Sequence, residues 1–154
     1  MGGNMTLRSP AFDEGGPIPL SCGYKKGNVS PPLVWSLTPA GTRSFALLVE
    51  DPDARGWVHW IAWNIPFTAS GIAQGVPASA QLSDGTRQGL NDFGKLGYGG
   101  PCPPSGVHRY TFRLMALDTT LDLPAGSERY DLIKAINGHV LEETRLTGTY
   151  SAGQ

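Results

Sequence analysis

This chain carries almost no excess of either charge. Twelve Lys and Arg stand against 13 Asp and Glu in 154 residues, for a net charge of −1. That balance excludes the basic footprint of a nucleic-acid binder and the Lys/Arg cluster that holds an anionic membrane. Any phosphate this protein binds must therefore be held locally, by a pocket. Long apolar runs are also missing. "FALLV" and "WIAWNI" are strand-sized, well short of the roughly 20 residues that cross a bilayer. "MGGNMTLRSPAF" has no apolar centre of the kind a secretion signal needs. The expected setting is the cytoplasm, without membrane insertion. Cysteine is scarce: Cys22 and Cys102 stand alone, without zinc-knuckle spacing. In such a compartment two isolated cysteines favour free thiols over a disulfide. Neither an internal repeat nor a low-complexity linker divides the sequence, so residues 1–154 are expected to form a single domain.

Glycine and proline, by contrast, are plentiful. There are 21 Gly and 13 Pro, and they cut the chain into short pieces. "RSFALLVED" (Arg43 to Asp51) predicts a strand with Phe45, Leu47, Val49 and Asp51 on one face, ended by Pro52. "WVHWIAWNIP" (Trp57 to Pro66) is apolar on both faces, as a central covered strand is. "HRYTFRLMALD" (His108 to Asp118) alternates. His108, Tyr110, Phe112, Leu114 and Ala116 share one face, and Arg109, Thr111 and Arg113 the other. The spacing of Leu132, Ile133, Ile136, Val140 and Leu141 predicts a helix over 127–144, with Ser127 as N-cap and Gly138 as a candidate break. "LTGTY" then reads as a closing strand. The pattern is mostly β.

Chemistry enters at the strand ends. Asp51 closes one apolar strand, His59 lies inside the most apolar one, and His108 opens a third directly after the stiff loop "GGPCPPSGV". Such ends can converge at one edge of a sheet. Singly, each residue has an ordinary structural role open to it; together with the Gly-Pro loop they point to a site.

"EDPDA", then "VHWIAWNIP", then "GPCPPSGVHRYTFRLMALD" resemble the phosphatidylethanolamine-binding protein family. Within it, the chain is similar to the bacterial and archaeal Raf kinase inhibitor-like proteins of the YbhB/YbcL type. "FDEGGPIPLSCGY" upstream and "GHVLEETRLTGTYS" downstream fit as well, so the resemblance runs from about Leu7 to Ser151. It implies a β-sandwich with a large antiparallel sheet and a short helical segment near the C-terminus. It also implies a non-catalytic pocket for phosphate, acetate, cacodylate or a phospholipid head group. Carried over, the ligand-binding residues are Asp51, His59, Gly100, Pro101, Cys102, His108 and Tyr110, with Asp53, Arg55 and Trp57 at the rim. No cofactor or metal is implied, and a homodimer is compatible with the family. Members often read "DPDAP"; here Arg55 replaces that proline, which leaves the turn beside Asp51 open.

In such a pocket an imidazolium from His59 or His108 would donate to the anion, joined by N–H groups of Gly99, Gly100, Cys102 and Ser105. Asp51 would hold a histidine in one tautomer. Other readings are weighed against this one. Asp51, His59 and His108 imitate a two-histidine-one-carboxylate metal site, but no paired-ligand spacing places two of them on one element. Ser105, His108 and Asp51 imitate a hydrolase triad, but no nucleophile elbow is present. His139 reads as a partly exposed helix residue. Trp35, Trp57, Trp60 and Trp63 read as core, with Trp57 also suited to the pocket mouth. The alternative function is inhibition of a serine protease or kinase through the Gly-rich segment Val76 to Gly100, which suits a binding loop or a lid.

Overall fold

Two antiparallel sheets carry the chain. The computed structural model describes residues 4–153, so the two ends of the 1–154 span lie outside it. The elements are β1 (Thr6–Arg8), β2 (Leu33–Ser36), β3 (Ser44–Asp51), β4 (Trp57–Pro66), β5 (Gly71–Ile72), β6 (Arg87–Gln88), β7 (Val107–Leu117), α1 (Arg129–Ile136) and β8 (Val140–Ser151). The smaller sheet has the order β1-β2-β5 and the larger β6-β4-β3-β7-β8. Among the described residues no helix is long and apolar enough to cross a membrane.

The larger sheet is covered on both faces, which explains why its central strands are apolar throughout. On one face Phe45, Leu47, Val49, Trp60, Phe112 and Leu114 pack against Leu7, Leu33 and Trp35 of the smaller sheet. On the other, Ala46, Leu48, Ile61, Trp63 and Met115 pack against Leu132 and Ile136 of α1. β3 therefore buries both of its faces, not only the one its alternation marks. Pro52 ends it as expected, opening a short 3-10 turn. Trp35, Trp60 and Trp63 are core, whereas Trp57 is 39% exposed.

The helix is shorter than its sequence pattern. It spans Arg129–Ile136, with Glu128, not Ser127, as N-cap in a reciprocal capping box with Asp131. Gly138 takes a left-handed φ of 84° and the chain turns there. Val140 and Leu141 thus begin β8, which is far longer than "LTGTY". The correction extends to His139, which sits in the connecting turn and hydrogen bonds Asp118 at 2.8 Å. Val140 and Leu141 fit helical spacing equally well; only the break at Gly138 separates the two outcomes.

The segment from Val76 to Gly100 is anchored to the larger sheet through β6, while most of 77–84 is exposed. Gln88 is buried, accepts from the Trp60 indole at 2.8 Å and donates to the carbonyls of Pro77 and Ser79 at 2.8 and 2.9 Å. Gly99 donates its amide to the His59 carbonyl at 2.8 Å. Gly100 passes so close to the 20–24 segment that an added Cβ would run into the Cys22 carbonyl. Gly100→Ala should therefore destabilise the protein by about 3 kcal/mol through overpacking. Urea unfolding measures this; a loss below about 1 kcal/mol would show that the crossing relaxes freely.

Candidate functional site

The site begins with an irregularity. Along the β3–β4 ladder Val49 pairs with Trp60, but Glu50 pairs with Val58, so His59 is the extra residue of a β-bulge. The bulge switches the alternation of β4. Trp60 faces the smaller sheet while Val58 faces the helix side. Asp51 then pairs with Trp57. His59 and Trp57 thereby join Asp51 around one cavity of about 320 Å³. β7, bonded to the other side of β3, brings His108 and Tyr110 to it, and the loops add Ala54, Phe93, Cys102 and Pro104.

Asp51 is the most constrained of these groups. It is 2% exposed. One carboxylate oxygen accepts from the Asp53 amide at 2.8 Å, which caps the 3-10 turn. The other accepts from Nδ1 of His108 at 2.6 Å. A carboxylate partner requires the proton on Nδ1 of His108 and leaves Nε2 for the cavity.

His59 is held differently. Its Nδ1 donates to the Gly99 carbonyl at 2.7 Å, and its ring meets Tyr110 edge-on at 5.1 Å and Phe93 at 5.7 Å. Burial is the main influence on its pKa and pushes it below the ordinary 6.5, while the Gly99 carbonyl and Asp51 pull the other way. Burial thus favours the neutral ring, with the proton on Nδ1 directed at the Gly99 carbonyl. Burial works against the charged donor expected of this ring.

Tyr110 is 1% exposed, and its hydroxyl is the one buried side-chain polar atom among the described residues that has no partner. The Cys102 amide faces that oxygen without reaching hydrogen-bond geometry. The hydroxyl proton has no acceptor in the protein. Burial, foremost, raises the phenol well above its usual range, so the proton stays on.

The remaining candidates are spread around this centre. Cys102 lines the cavity, but Gly100 and Pro101 do not. The amides of Gly99 and Gly100 are already used, on the His59 carbonyl and on Asn28 Oδ1 at 2.7 Å, which corrects their expected role as anion donors. Pro101 accepts from the Tyr24 amide and borders a separate cleft with Lys25 and Lys26. Asp53 is pulled outward by Arg109, which contacts it at 2.8 Å and holds its carboxyl at about 2. Arg55 is exposed and left-handed, with a φ of 57°. Proline, fixed near −65°, does not fit that backbone, so the turn is rebuilt rather than merely substituted. Trp57 stands at the mouth, edge-on to Phe93 at 5.6 Å. Ser105 is exposed and outside the lining, so it does not complete a triad with His108. Among the described residues no three His, Cys, Asp or Glu side chains are placed to share a metal ion. The two thiols are free.

Sequence reasoning missed Phe93 and Asn28. Phe93 stacks on Tyr24 at 3.9 Å and closes one wall. An aromatic set among glycines in "NDFGKLGYGG" was the available signal.

The Phosphatidylethanolamine-binding protein family profile matches residues 8–151. The chain belongs to the phosphatidylethanolamine-binding protein family. A UPF0098 protein of Methanothermobacter thermautotrophicus is 49% identical over 151 residues, covering 97% of this chain and all of that one. The crystal structure of CT736 from Chlamydia trachomatis, described as a putative homolog of this family, superposes with a TM-score of 0.87. It is 38% identical, over 97% of this chain and 99% of that one. E. coli YbcL, described as a member of the mammalian family, gives a TM-score of 0.87 at 33% identity, over 96% and 98%. The mostly β architecture with its short late helix is thus the phosphatidylethanolamine-binding protein fold.

His59 has a pH consequence with a definite sign. Below 6.5 the unfolded chain takes up a proton that the folded ring resists. This contribution to stability is intact above 6.5 and is lost as pH falls toward the depressed folded value. His59→Gln should lack it. Urea unfolding of both proteins between pH 7.5 and 5.5 should show a steeper loss in the wild type, and parallel losses would mean that the ring charges freely.

Proposed function

We propose that this protein is a non-catalytic binding module whose cavity takes a small anion or phosphorylated group, such as phosphate or phosphoethanolamine. The Tyr110 hydroxyl carries this reading. A buried donor without a partner costs about 1–3 kcal/mol, a cost that a ligand acceptor removes. Nε2 of His108 supplies a second group in the same cavity, directed by Asp51. Trp57 and Phe93 provide an aromatic wall for whatever the phosphoryl group is attached to. No Lys or Arg lines the cavity. The anion is therefore met by the Tyr110 hydroxyl and two imidazoles, with no fixed cation, which suits modest affinity and release. Any regulation of a partner protein would follow from occupancy of this site.

Inorganic phosphate titrated into the protein should shift the ring signals of both His59 and His108 by NMR; if neither moves, the cavity is not the site. Tyr110→Phe should separate binding from stability. Phosphate affinity should fall about tenfold, the worth of one hydrogen bond to a charged group. Unfolding free energy should stay level or rise by up to about 1 kcal/mol, since no protein contact is lost. Calorimetry and urea unfolding read the two quantities. Unchanged affinity would remove Tyr110 from the site.

A further inference from the structure

A second cavity, of about 520 Å³, opens between the outer edges of the two sheets and shares no residue with the one around Asp51. β5 ends the smaller sheet here and β6 the larger. Trp60, Ala62 and Ile65 of β4 carry the core between the sheets into its lining, joined by Ile72, Val76 and Leu82. The space is built rather than left by a loose loop. The amides of Gly75 and Val76 donate to the carbonyl and Oγ of Ser30, each at 2.9 Å. Gln88 holds the carbonyls of Pro77 and Ser79, and the Leu82 amide donates to the Thr86 carbonyl at 2.8 Å. A cavity fixed from behind in this way pays little ordering cost when a ligand enters, and its size is that of a small-molecule site.

Its polar groups divide into spent and free. The Trp60 indole and the Gln88 amide are spent on each other and on carbonyls. Thr86 is only 4% exposed, yet its hydroxyl has no partner among the described residues and is not sealed off as the Tyr110 hydroxyl is. Since Thr86 lines the cavity, that hydroxyl is open to it. Asp84 accepts from the Thr86 amide at 2.9 Å through one carboxylate oxygen, which ties the two residues into one polar corner. Its other oxygen is free, and it forms no ion pair among the described residues. Asp84 is the single charged group in the lining. The adjacent Arg87 is outside the lining and donates to the Leu123 carbonyl at 2.8 Å. We propose that this cavity is a second binding site, for a small apolar molecule ending in an amine, whose N–H groups meet the Thr86 hydroxyl and the Asp84 carboxylate while its body displaces water beside Trp60, Ala62 and Ile65. Burial of that body supplies most of the affinity. The lone carboxylate sets the sign of the head, since a carboxylate ligand would face it without a compensating cation. This site goes beyond the anion reading and does not depend on it.

The test titrates the full chain at about pH 7 with octylamine, 1-octanol and octanoate, which share one apolar body and differ only in the head. By calorimetry octylamine should bind about threefold more tightly than octanol and about tenfold more tightly than octanoate, the range of one partly exposed charge contact. By NMR octylamine should move the Trp60 indole N–H and the Ala62 and Thr86 methyl signals, leaving the His59 and His108 rings in place. Asp84→Asn keeps the oxygen that caps Thr86 and should bring the amine and the alcohol within about twofold of each other. Ala62→Phe fills the cavity and should abolish octylamine binding; if that variant fails to fold, Asp84→Asn carries the test. Three probes binding within about twofold of one another overturn the inference, as do octanoate binding tightest, histidine shifts in place of the Trp60 shift, or no binding at all. Phosphate titrated with octylamine present should still move His59 and His108, so the two sites stand or fall separately.

Discussion

The Asp51 carboxylate is the constraint around which this end of the molecule is arranged. A charge this deeply buried is tolerated only with its lone pairs occupied. Here a backbone amide on one side and an imidazole on the other meet that need. The amide fixes the turn that follows β3. The imidazole ties β3 to the start of β7. Because both partners come from the protein, Asp51 acts as a positioning group within the fold. Its role is to aim Nε2 of His108.

That arrangement depends on where the large sheet leaves room. The small sheet covers one face and α1 the other, and the site opens at the rim, where β3 ends and β7 begins. The bulge at His59 supplies the missing wall by turning a residue that regular alternation would have sent to the helix side. Gly100 makes the opposite wall possible. The Gly-Pro loop lies against the 20–24 segment only because no side chain intervenes, and Asn28 then anchors it through the Gly100 amide. The stiffness of that loop thus serves packing first, and only Cys102 and Pro104 of it reach the cavity.

Much of the frame was legible beforehand. β3, β4 and β7 follow from alternation and apolar content, and Asp51 and His108 declare themselves by standing at strand ends. Other features leave no trace in a pattern of polar and apolar residues. "WVHWIAWNIP" is apolar on both faces, so a one-residue slip within it changes no visible periodicity, and the bulge stays hidden. The tautomer of His59 depends on a carbonyl 40 positions away. The loss of the Gly99 and Gly100 amides to His59 and Asn28 is likewise a tertiary matter. Helical spacing in the sequence overruns the helix itself, because Val140 and Leu141 satisfy a period of 3.6 and an edge strand equally well. Arg55 was visible as a departure, but its left-handed backbone was not.

The unequal burial of the indoles has a use of its own. Trp35, Trp60 and Trp63 are sealed in the interior at 4%, 1% and 0% exposure, and Trp57 alone stands partly in water at the cavity mouth. Emission from the three interior rings forms a constant blue background. The fourth contributes a red-edge component sensitive to anything that displaces solvent beside Phe93. The chain thus carries its own optical gauge of occupancy, readable without a label.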